Sequence, residues 1–132
     1  MLNFLKNLFG ASKPNSKIIA AKVTKIEKHP NADRLRVISL TDGVKIIEPV
    51  VCGAFNFEVG DIVALALPGA TIAQNIHSEE HESFVLSTAK IRGIESQGMI
   101  CAEFELGLTN TPGDKPEIMI LPPDTKLGKM VV

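Results

Sequence analysis

Neither tryptophan nor tyrosine occurs in this chain of 132 residues, and six phenylalanines are the only large aromatic rings it can offer a ligand. Any aromatic stacking surface is thereby limited to what Phe and His can supply. Cysteine is scarce as well. Cys52 and Cys101 each stand inside an apolar run and match no C-x-x-C spacing, so they read as reduced core residues rather than as a disulfide framework or metal site. That usage fits a cytoplasmic protein. No apolar run reaches the ~20 residues that cross a bilayer, and the opening "MLNFLKNLFG" lacks the apolar region and cleavage site of a signal peptide. A nucleophile elbow and a phosphate-cradling glycine loop are also missing. The length suits one core, not a nucleotide-binding domain beside a substrate domain. No cofactor is expected, and no catalytic role for this chain alone.

What is present begins with charge. The formal net charge is −1, but up to Lys45 nine basic residues face three acidic ones, and from Ile46 onward five face twelve. Such asymmetry suggests one surface that attracts anions and another that repels them. Uneven charges that merely face water would look the same in the sequence.

The apolar pattern is that of short strands. Residues 1–16 form an arm in which Leu2, Leu5 and Phe9 have the spacing of a short amphipathic helix, followed by a domain over residues 17–132. "KIIAAKVTKIEK" is β-branched and roughly alternating, with Val23 and Ile26 of opposite parity, which predicts a bulge or bend inside a long first strand. After a "TDG" turn, "VKIIEPVVCGA" reads as a strand interrupted at Pro49, and "DIVALALPGATI" as another. "STAKIRGIESQGMICA" reads as two strands joined around "ESQG", "EFELGL" as a helical turn, and "EIMILPP" as a last apolar run. The expectation is an all-β fold, a five-stranded barrel or sandwich with short helical turns. Its interior is expected to come from Val23, Leu35, Val37, Val51, Val63, Leu65, Ile91 and Ile100.

Between the first two strands lies "EKHPNADRLRV". Pro30 fixes its own φ, and Asn31 and Asp33 can bond nearby backbone N–H groups, so the stretch specifies a tight turn. Arg34 and Arg36 follow with one parity, Leu35 and Val37 with the other. Further on, Lys90 and Arg92 share a strand face, with Gly93 allowing a bend. A different chemistry is offered by "HSEEH", His77 to His81, which fits the H-x-x-E-H zinc pattern. That pattern needs a helix and a third ligand, whereas here it falls between strands, where a solvated loop tip is the expectation.

Taken in order, "KHPNADRLRV", "VVCGAFNFEVGDIVALALPGA" and "AKIRGIESQGMICAEFELGL" resemble the tRNA-binding domain near the N-terminus of the bacterial phenylalanyl-tRNA synthetase beta subunit, a module also similar to free-standing tRNA-binding proteins. The resemblance implies an OB-fold and an RNA-binding surface on Lys28, Asn31, Arg34, Arg36, Lys90, Arg92, Ser96 and Met99. For Ser96 the alternative is a bond within its own turn, and for Met99 a place in the core. The partner implied is tRNA, with synthetase subunits or a second copy as further partners and no membrane. Two other readings stand beside this one: an assembly domain of a synthetase with weak or no RNA binding, and a metal-dependent hydrolase built on His77 and His81.

Overall fold

Among the described residues, segments of two to eleven residues, mostly rich in β-branched and other apolar side chains, form the strands. The computed structural model describes residues 17–131; the expected arm over residues 1–16 lies outside them. In chain order the strands are β1 (Ile18–Lys28), β2 (Arg36–Thr41), β3 (Ile46–Cys52), β4 (Ile62–Ala66), β5 (Thr71–Ile72), β6 (Phe84–Val85), β7 (Ala89–Ile91), β8 (Ile94–Ser96), β9 (Met99–Ile100) and β10 (Ile120–Leu121). No α-helix forms among the described residues.

One antiparallel sheet dominates, in the order β10-β4-β1-β2-β3, with β9 also on β4. Because β1 pairs the whole of β4, and β10 takes Ile62 and Val63 while β9 takes Leu65 and Ala66, the two short strands share the opposite edge of β4. The sheet thus has five strand positions filled by six strands, consistent with an OB-like fold. The bulge in β1 falls between Val23 and Lys25. It lets Val23, 1% exposed, and Ile26 both join the same apolar cluster despite their opposite parity.

Pro49 does not interrupt β3. The register shifts opposite Ile38–Leu40, leaving Glu48 and Pro49 outside the direct pairs, so the missing N–H of proline removes no bond from the ladder. The main cluster is built from Ile38, Leu40, Val50, Phe57, Val63 and Leu65 among others, and a second lies around Ile18, Ala64, Ala66, Ile72 and Cys101. The expected interior is therefore corrected in part. Val23, Val51, Val63, Leu65 and Ile100 are buried, but Leu35, Val37 and Ile91 are only half-buried. In "RLRVISL" the alternation can be read in two phases; Ile38 and Leu40, both fully buried, select the one that also contains Arg36.

Both cysteines are buried and unpaired. Desolvation raises both thiol pKa values and leaves the groups protonated and inert. "EFELGL" forms the expected turn: Leu106 N–H donates to the carbonyls of Ala102 and Glu103, and Glu105 accepts from Ala102 N–H at 2.8 Å. At the far end, residues 128–131 run along the part of β1 that β2 leaves free. Gly128 N–H donates to Ala20 O at 2.8 Å and Val131 N–H to Ile18 O at 2.9 Å. That pairing covers an otherwise open strand edge.

Candidate nucleic-acid interface

The "HPNADR" corner and the β7–β8 hairpin are about 60 residues apart in sequence and joined in space. His29 makes the joint. Its ring is 1% exposed; Nδ1 accepts the N–H of Asn31 at 2.9 Å, and Nε2 lies 3.1 Å from the carbonyl of Ile91. Since Nδ1 accepts, Nε2 carries the proton and donates. A second bond runs alongside, from Asn31 Nδ2 to the carbonyl of Arg92 at 3.2 Å. The corner is therefore already shaped when a ligand arrives, because its ordering entropy is lost on folding.

The hairpin turns ahead of "ESQG", where the turn was expected. Ile91 pairs Ile94, so Arg92 and Gly93 are the two turn residues, with φ of 53° and 95°. Positive φ at both positions is the type I′ geometry that suits a two-residue hairpin. Arg92 consequently leaves the strand face of Lys90 and stands at the hairpin tip. "ESQG" is the connection from β8 to β9 rather than a hairpin between paired strands.

The predicted site residues separate into two groups. Lys28, Asn31, Arg34, Lys90 and Arg92 are on the corner and the hairpin that His29 and Asn31 bind together, with all four cations exposed and Asn31 at the same surface. Among the described residues, Lys28 alone of these cations pairs with a carboxylate, Asp33 at 3.8 Å, and both groups are well exposed. Such a pair holds little energy and yields readily to a phosphate.

Arg36, Ser96 and Met99 are committed to packing instead. Arg36 Nη2 donates to the carbonyls of Ala54 at 3.2 Å and Phe57 at 3.1 Å, and its guanidinium lies over the Phe55 and Phe57 rings, 4.7 and 4.6 Å from their centroids. Arg36 stands on the inward parity of β2, where a cation is tolerated because carbonyls and ring faces meet it. Ser96, 4% exposed, accepts Val51 N–H and donates to Gly98 O, each at 2.9 Å. With Gln97 N–H on Pro49 O, it ties the end of β8 to the outer edge of β3. Met99 packs on the second cluster and lines a cavity of about 370 Å³ with Leu35, Ile91 and Glu105.

The acidic side of the molecule is arranged differently. Residues 75–82 form successive turns, not a helix: His77 N–H donates to Asn75 Oδ1 at 2.9 Å, and His81 N–H to Ser78 O at 3.2 Å. His81, at φ 53°, sets its ring edge-on to Phe104 at 4.9 Å. Among the described residues no three His, Cys, Asp or Glu side chains converge on a metal position. His77 instead neighbours Glu105, whose carboxyl is pushed up by burial and partly pulled back by Ala102 N–H and His77.

His29 is the residue that sequence reasoning missed. Its partners are backbone groups two and 62 positions away; only the neighbouring Pro30 hinted at a fixed corner.

An antiparallel OB-like sheet with exposed cations gathered on one pre-ordered corner has the properties of a nucleic-acid-binding module. Residues 18–130 match the family model described as "Putative tRNA binding domain", and the chain belongs to that family. It is 46% identical over 85% of its length to a "Phenylalanine--tRNA ligase beta subunit" of Chlamydia pneumoniae, covering 14% of that protein. Identity to the protein of the same name from Chlorobaculum tepidum is 38% over 95% of the chain and 15% of the relative. For that of Geobacter sulfurreducens it is 43% over 84% and 12%. The chain thus spans about a seventh of the length of these relatives.

Proposed function

We propose that this domain holds structured tRNA by its phosphates and its shape, as a non-catalytic module serving a phenylalanyl-tRNA ligase or acting beside one. The observation that supports the reading is the joint between corner and hairpin, which brings together the two segments that carry the exposed Lys28, Arg34, Lys90 and Arg92. Pre-ordered cations bind a polyanion with no further loss of loop entropy. Base edges play little part in such a contact, so discrimination among tRNAs is expected to be weak.

Filter binding of tRNA across a salt series tests this. Affinity should fall steeply with salt, and R34E with K90E should flatten the logarithmic salt slope by about one unit for each phosphate no longer neutralised. Thermal melting should be unchanged, because both residues are exposed. No complex at low salt would hand the domain to the assembly reading.

A further inference from the structure

The loop that joins β3 to β4 is braced on both sides. Arg36 clamps the carbonyls of Ala54 and Phe57, and Asn56 both donates to Ile118 O at 2.9 Å and accepts from Ile118 N–H at 3.0 Å. Glu58 N–H is capped by Asp61 Oδ2 at 2.8 Å. Phe57 is buried at 1% exposure. Phe55, in the middle of the braced segment, is 54% exposed.

A single exposed aromatic residue is ordinary on a protein surface. Three observations set Phe55 apart. Its backbone neighbours are fixed, so the ring is presented rather than free to fold away. A guanidinium lies over one face, 4.7 Å from the centroid, and an aromatic face backed by a cation favours an electron-rich π-system on its other side. The loop that carries the ring also starts beside the cationic corner. Arg36 is the direct cross-strand partner of Lys28, and Gly53 approaches Arg34 so closely that a Cβ there would lie 3.7 Å from Arg34 O.

We propose that Phe55, backed by Arg36, is a stacking platform for one unpaired base of the bound RNA, with the phosphates next to that base held by Lys28 and Arg34. This rests on the tRNA-binding reading and adds to it a contact that charge does not make. It also gives Arg36 a role: it touches no phosphate, and it positions the ring and its loop.

The absence of tryptophan and tyrosine makes the test clean. In the full 132-residue chain carrying F55W, the single indole should be quenched as tRNA is titrated in, and affinity should be kept or raised. F55A should weaken tRNA binding about 5- to 150-fold, the range of one base–aromatic stack. Its salt slope should stay that of the parent, since stacking releases no counterions. F55L keeps apolar bulk without a π-face and should lose nearly as much as F55A while melting like the parent. If the parent binds tRNA and both F55A and F55L bind equally well, the platform is wrong and the phosphate reading stands. If the parent binds no tRNA at low salt, both fall together. Quenching of the F55W indole by a protein partner but not by tRNA would overturn the proposal in favour of protein docking.

Discussion

His29 and His77 both stand in loops rich in turn residues, yet the His29 ring is 1% exposed with both nitrogens bonded, while His77 lies at the surface with its own N–H capped by Asn75. Around the first, cations reach solvent and the backbone is locked by bonds across 62 residues. Around the second, carboxylates dominate, and the turns of residues 75–82 are closed by bonds among themselves. The His29 ring thus acts as a rivet between two elements, and the exposed charge of the corner belongs to its neighbours.

The sharpest way to break this contrast is H29A. It removes a buried ring and leaves Asn31 N–H and Ile91 O without their partner, which should cost about 2–4 kcal/mol in chemical denaturation. If H29A unfolds no more readily than the parent, the rivet is wrong. E105Q tests the acidic side. Burial holds the folded-state pKa of Glu105 above its ordinary 4.5, so its contribution to stability is full below that pH and is lost as pH rises through the folded value. The Tm of E105Q minus that of the parent should therefore grow between about pH 4 and pH 7, with Gln retaining an acceptor for Ala102 N–H. A difference that shrinks over that range would contradict the assignment. Smallest is H77A, an exposed change expected to stay within about 0.5 kcal/mol, with tRNA affinity unaltered in the same filter assay. A destabilisation as large as that of H29A would erase the distinction between the two loops.

Much of the strand order was legible in the sequence because its signals are local. Opposite parity at Val23 and Ile26 announced the bulge, and Asp42–Gly43 announced a turn that forms with Gly43 at φ 96°. Lys28, Asn31, Arg34 and Lys90, which the family resemblance had named, are all exposed. The phase of β2 could not, because "RLRVISL" supports two apolar alternations and only the buried faces of neighbouring strands decide between them. Arg92 was missed as a turn residue since a non-glycine at positive φ is uncommon, although Gly93 beside it fits the second turn position. The bond of Ser96 within its own turn, to Gly98 O, was among the readings; its second partner, Val51 N–H, and the Ile91 O partner of His29 were opaque because they lie 45 and 62 residues away.

The bond from Val131 N–H to Ile18 O has an architectural consequence. Where the described domain is entered and where it is left are side by side, so a longer polypeptide can carry it as an excursion that returns to its starting point. Its host neither has to stretch across the sheet nor reorganise around it.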